Sequence, residues 1–180
     1  MRLIQLYKIL IIIIFHSFLF SKVIKPTGTE VSYKLFVDSK EGDKIRPYFF
    51  LDSNGLTFSY KEFTKQGFKK GDDINLQLMS RTYMASNSNN RKKYQFELII
   101  TDGEKVLLSK DLKYNKKSSN ATSPESKKGF YFTHAGYWFE DVKLTKNLKI
   151  TIKSKIKNQK IYVRLLANKQ TERRGKKTKI

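Results

Sequence analysis

The chain contains no cysteine. Disulfides, thiolate metal sites and a lipid anchor on cysteine are therefore excluded. Histidine is almost as scarce, with only His16 and His134. His16 falls in the N-terminal leader described below, which leaves His134 as the one candidate base. Nucleophilic catalysis needs such a base beside a serine or similar group, and no serine here sits in a G-x-S-x-G turn or comparable frame. Metal binding by histidine or cysteine clusters fails on count. Beyond the first twenty residues no segment is apolar enough to cross a bilayer as a helix. Acids are few as well: 16 Asp and Glu stand against 37 Lys and Arg, a formal net charge of +21.

Arg2 and Lys8 precede Ile9–Phe20, an apolar run broken only by His16 and Ser17. The run is shorter than the roughly 20 residues a spanning helix needs. A positive segment followed by a short apolar one reads as a secretory signal peptide over residues 1–21, cleaved after Ser21. Leu19 at the −3 position departs from the small residues preferred there, and the competing reading is an uncleaved anchor. Export without disulfides requires a hydrophobic core, and the length suffices for one domain. The expected location is secreted or periplasmic.

The apolar residues are rich in Ile, Leu, Val, Phe and Tyr, which suit pleated, half-buried surfaces. Short alternating runs separated by polar turns occupy Val31–Val37, Tyr48–Leu51, Leu56–Tyr60, Ile74–Met79, Leu148–Lys153 and Ile161–Leu165. Asp52–Gly55 (DSNG) carries the Asn-Gly signature of tight hairpins. Tyr94–Thr101 and Val106–Tyr114 flank Asp102-Gly103 and define a β-hairpin. Lys61–Gly71 reads as a helical turn or a loop. Asn115–Lys128, polar and holding Pro124, reads as a mobile loop. About eight strands at this spacing, without repeats, predict an all-β antiparallel sandwich or jelly roll over residues 22–168. Residues 169–180 (KQTERRGKKTKI) read as a basic, disordered tail.

Gly129–Phe139 (GFYFTHAGYWF) concentrates the aromatic residues and contains His134 and the single tryptophan, Trp138. As a strand it places Phe130 and Phe132 on one face and Tyr131 and Thr133 on the other, with Gly136 marking a bulge. Tyr131, His134, Tyr137 and Trp138 are the candidate ligand-binding residues, since exposed aromatic rings stack on sugars or bases. The competing reading is that these aromatics are simply core.

Charge is unevenly spread. Residues 143–180 hold fourteen Lys and Arg against the single acid Glu172. Lys149, Lys153, Lys155, Lys157, Arg164, Arg173, Arg174, Lys176 and Lys177 are the candidate polyanion-binding set. Lysine-rich composition drift accounts for the same excess with no partner. Lysines facing outward from a strand also guard against edge-to-edge aggregation. Asp38, Glu41 and Asp43 lie close together in a turn that could offer oxygens to calcium, although their spacing matches no EF-hand. Asp72, Asp73, Glu140 and Asp141 could supply paired carboxylates for glycan hydrolysis, subject to their separation in space. No catalytic residue, resident metal or cofactor is assigned. The favoured expectation is a non-enzymatic exported domain that binds an anionic envelope polymer, a glycan or a partner protein; export argues against nucleic acid. The alternatives are a structural component that pairs through an exposed strand edge, and a glycan hydrolase.

Overall fold

From Ile74 to Leu78 every second side chain is buried, with Asn75 and Gln77 turned the other way. The same period of two runs through Tyr94–Ile100 and Leu148–Ile152, as half-buried strands require. The computed structural model describes residues 21–28, 32–37, 44–84, 90–123, 131–156 and 158–170. They form β1 (Lys22–Ile24), β2 (Tyr33–Val37), β3 (Lys44–Leu51), β4 (Leu56–Ser59), α1 (Tyr60–Thr64), β5 (Asp73–Met84), β6 (Arg91–Asp102), β7 (Lys105–Lys117), β8 (Tyr131–Phe132), β9 (Gly136–Lys143), β10 (Leu148–Ser154) and β11 (Ile161–Lys169).

Two antiparallel sheets pack in a sandwich-like arrangement. The first runs β2-β3-β11-β5-β8, with β1 also paired to β11 and β9 to β5. The second runs β4-β10-β6-β7. One core fills the space between them. Phe49, Leu76, Leu78, Trp138, Val163 and Leu165 come from the first sheet, and Phe58, Phe96, Leu98, Ile100, Ile150 and Ile152 from the second. Each such side chain contributes about 1.5–3 kcal/mol when removed from water. The helical turn α1 and the loop after it add Phe63 and Phe68, whose rings meet edge to face at 6.2 Å. Among the described residues no helix is long and apolar enough to cross a membrane.

The β6–β7 hairpin forms where Asp102-Gly103 predicts it. Asp102 pairs with Lys105, and Gly103 takes φ +60 at the first of two loop positions, as a type II′ turn requires. The Asp52–Gly55 turn also forms, but it joins no hairpin. Its flanking strands β3 and β4 belong to different sheets, so it is a corner. Asp52 Oδ1 accepts from the backbone N–H groups of Asn54 and Gly55, and Gly55 N–H also donates to Asp52 O, as in a type I turn with Asp first and Gly last. At Gly55 φ is +80, and a Cβ would stand 2.6 Å from Ile152 O, so glycine is needed on both counts.

Four expectations need correction. Among the described residues the strands number eleven rather than about eight. Three-residue β1 carries too little pattern to read, yet Ile24 is wholly buried against β11. Gly129–Phe139 does not form one bulged strand: β8 pairs with Tyr83 and Met84, β9 with Asp73–Ser80, and Thr133–Ala135 separates them. The segment read as a loop from Asn115 is instead ordered through Ser123. β7 continues to Lys117, and residues 119–121 then pair with β8 through Ser119 N–H to Phe132 O (2.9 Å) and Phe132 N–H to Ala121 O (3.0 Å). Small residues (Ser118, Ala121, Ser123) are buried there, and their polar composition conceals a packed segment. Lys169, counted in the expected tail, instead ends β11, and Gln170 N–H donates to Asp73 O; residues 171–180 lie outside the described residues.

Candidate anion-binding surface

The register of the β6–β7 hairpin sets like charges against each other. Arg91 lies opposite Lys117 and Lys92 opposite Lys116, in two consecutive cross-strand pairs. Like charges facing each other cost roughly 0.2–1 kcal/mol per pair. Alternation puts Arg91, Lys93, Lys113 and Lys117 on the outer face of the sheet, where all four are exposed, together with Gln95 and Asn115. Lys92 and Lys116 turn the other way and are half-buried. None of the six makes an ion pair with a carboxylate among the described residues.

Aromatic rings and backbone oxygens hold these cations instead. Lys92 Nζ donates to Tyr83 O at 2.8 Å and lies 5.7 Å from the Tyr83 ring, with Lys160 Nζ 5.6 Å from the same ring. Lys116 Nζ lies 5.8 Å from the Tyr114 ring. Arg91 donates to Asn115 O at 3.0 Å. Ring quadrupoles attract a cation without neutralising it, so the positive field at this end of the hairpin persists. Lys160 also lines an open cleft of about 780 Å³ between the β3–β4 and β10–β11 turns, together with Phe50, Lys155 and Asn158.

The aromatic stretch meets this cluster. His134 is exposed, and its backbone N–H donates to Lys117 O at 2.9 Å. The Tyr114 hydroxyl donates to Tyr137 O at 3.1 Å. Tyr137 is 49% exposed and stacks on Phe139, 56% exposed, with ring centroids 6.4 Å apart and planes 8° from parallel. Tyr131 is half-buried, opposite Met84. Trp138, at 7% exposure, points into the main core. Strict alternation from Gly136 would have exposed Tyr137 and Phe139 as the outward pair; Phe139 was missed.

The cations expected from the C-terminal quarter are scattered. Lys149 is exposed opposite Thr101. Lys153 faces Glu97, and Lys155 is bound to Asp111 Oδ1 at 2.6 Å, a hydrogen bond that raises the lysine pKa above its ordinary value. Arg164 is no part of an open cationic face: it is 6% exposed, in β11 of the other sheet. Lys157, Arg173, Arg174, Lys176 and Lys177 lie outside the described residues, as do Asp38, Glu41 and Asp43.

Of the four acids considered for hydrolysis, Asp73 and Asp141 share one face of the β5–β9 pair, Asp73 opposite Lys143 and Asp141 opposite Asn75. Glu140 and Asp141 are consecutive on β9 and turn to opposite sides, and Asp141 accepts from Asn75 Nδ2 at 2.7 Å. Burial pushes the Asp72 carboxyl up, but hydrogen bonds from Lys169 Nζ (2.8 Å) and the Lys69 N–H (2.7 Å), with both positive charges, outweigh it and hold the pKa below its ordinary value. Among the described residues no three His, Cys, Asp or Glu side chains converge to hold a metal ion. The fold therefore defines a sandwich-like all-β domain with a cationic surface at one end of the β6–β7 hairpin. In sequence comparisons no family model and no curated protein matches this chain.

Proposed function

We propose that this chain is an exported, non-catalytic binding domain that takes an anionic polymer of the cell envelope on the cationic end of the β6–β7 hairpin. The observation that carries the reading is the pair of consecutive like-charge contacts, Arg91 with Lys117 and Lys92 with Lys116, without a carboxylate among the described residues to offset them. A chain of phosphates or carboxylates would offset them from outside, gaining affinity by releasing its own counterions. His134, whose backbone N–H donates to Lys117 O, offers a polar group beside the cluster. Export rests on the apolar leader and places the partner among envelope polymers.

The test is binding of the full chain to polyphosphate, followed by fluorescence anisotropy across a salt series. The expected result is a steep loss of affinity with rising salt, and a further loss in an Arg91→Gln/Lys117→Gln variant. Binding that ignores both salt and these substitutions would overturn the reading. A second reading, assembly through a strand edge, is favoured by one observation: among the described residues β9 pairs with a strand on one side only, and it exposes Tyr137 and Phe139.

A further inference from the structure

Two buried arginines flank one tyrosine on the first sheet, and only one of them is satisfied. Arg81 of β5 donates from Nε to the Tyr48 hydroxyl (3.2 Å), and from a terminal nitrogen to Ser119 Oγ (3.1 Å) and Thr133 O (2.6 Å). Its guanidinium also lies 6.0 Å from the Tyr48 ring. Neutral acceptors supplied by the fold thus account for Arg81 without a carboxylate. Arg164 has no such set. It sits opposite Met79 in β5, one step along the ladder from the Val163–Phe49 pair and therefore beside Tyr48. Its Nε is buried with no hydrogen-bond partner, and its charged neighbour is another cation, Arg46 of β3.

A buried guanidinium nitrogen with no acceptor, such as Arg164 Nε, is a costly arrangement for a fold to hold. Arg164 is placed there by the alternation of β11, which sends Val163 and Leu165 into the main core and turns Arg164 to the opposite face. That face is not open, because Leu35, Tyr48, Ala121 and Phe132 build a second, smaller core on it, with Met79 and Tyr162 packed alongside. Met or Leu at position 164 would suit such surroundings. An arginine is explained by an acceptor that comes from outside the chain. Arg46 is half-buried, so the pair is open to solvent on its side.

We infer that Arg164 and Arg46, beside Tyr48, form a discrete site for a tetrahedral oxyanion, phosphate or sulfate. Two guanidinium groups, neither paired with an acid among the described residues, match a dianion better than a single carboxylate. This site lies on the sheet that does not contain the β6–β7 hairpin, and it differs in kind from the lysine surface there. Planar donors at fixed positions recognise one group, whereas exposed lysines attract any polyanion.

The experiment is thermal unfolding of the full chain in chloride, acetate, sulfate and inorganic phosphate at matched ionic strength. Phosphate or sulfate is expected to raise Tm saturably above chloride, with acetate doing less. In Arg164→Met the phosphate-specific rise should vanish, while Tm in chloride should equal or exceed that of the wild type. Should that variant not fold, Arg46→Gln provides the second reading, with the half-saturating phosphate concentration raised roughly tenfold or more for one lost charge-assisted bond. Equal shifts in all four salts overturn the site. So does a phosphate effect that survives Arg164→Met, or Arg46→Gln where only that variant folds. A response lost in Arg91→Gln/Lys117→Gln but kept in Arg164→Met would assign the effect to the lysine surface and equally sink the inference.

Discussion

The ring of Tyr114 occupies the space that a side chain at Gly136 would need. A Cβ there would stand 2.6 Å from Cδ1 and 2.8 Å from Cγ of the ring. Tyr114 belongs to β7 of the second sheet and Gly136 opens β9 of the first, so this contact joins the edges of the two sheets. The Tyr114 hydroxyl reinforces it by donating to the carbonyl of Tyr137. The same contact fixes which side chains of β9 face outward, and so exposes Tyr137 and Phe139 while burying Trp138.

Gly136→Ala should therefore destabilise the fold by about 1–3 kcal/mol, the usual cost of overpacking, through collision with the ring rather than backbone strain. Urea denaturation would show a lower midpoint. Combining it with Tyr114→Leu should cost less than the sum of the two single changes, because removing the ring removes the collision. Strict additivity would mean that ring and glycine do not compete for space.

The like-charge pairs make opposite demands on stability and binding. Lys117→Glu, at an exposed position facing Arg91, should stabilise the fold by about 0.5–1 kcal/mol at low salt, with the gain shrinking as salt rises. The same substitution should weaken polyphosphate binding. A variant that gained stability and lost no affinity would show that the basic residues here are composition without a partner.

The rings of Tyr94 and Tyr114 meet between the sheets with centroids 5.3 Å apart and planes tilted by 32°. Burial, with the Tyr94 ring alongside, pushes the Tyr114 pKa up to about 12 from 10.0, and burial pushes Tyr94 up as well. Between pH 10 and 12 the unfolded chain releases the Tyr114 proton while the folded chain keeps it. The folded state then binds more protons, so stability must fall as pH rises through this window. Urea midpoints measured across it should decline less steeply in Tyr114→Phe than in the wild type. Equal slopes would show that Tyr114 titrates normally.

The hairpin at Asp102-Gly103 and the alternation in β5, β10 and β11 could be read directly, because turn chemistry and a period of two are local properties. The cationic cluster at the end of the β6–β7 hairpin could not, because charge counting directs attention to the residues after 143. Lysines concentrate after residue 143, yet strands from elsewhere bring acids to meet them: Glu97 to Lys153, Asp111 to Lys155, Asp72 to Lys169. The unneutralised cluster arises from residues 91–93 and 113–117, which look ordinary until the register of β6 and β7 aligns them. Arg164 shows a similar limit. Its outward direction follows from its neighbours, but outward means solvent only if the sheet is bare, and here a second small core covers that face.

The free edge of β9 decides between binding and assembly. Its second half carries Glu140, Asp141 and Lys143, charges of the kind that blunt an exposed edge, whereas Gly136–Phe139 carries none. Phe139 lies opposite Gln77 and Tyr137 opposite Met79, so the stacked rings form a small apolar ledge at the edge of the sheet. If a second chain pairs there, the full-length protein should self-associate at high concentration in sedimentation velocity, and Tyr137→Ser/Phe139→Ser should return it to monomer. Both side chains are about half exposed, so the double variant should change folding stability by only about 0.5 kcal/mol per site. A wild type that stays monomeric at high concentration would remove assembly through β9. If the double variant then also bound polyphosphate less tightly, the ledge would belong to the polymer surface, with its rings stacking beside the charges of Lys116 and Lys117.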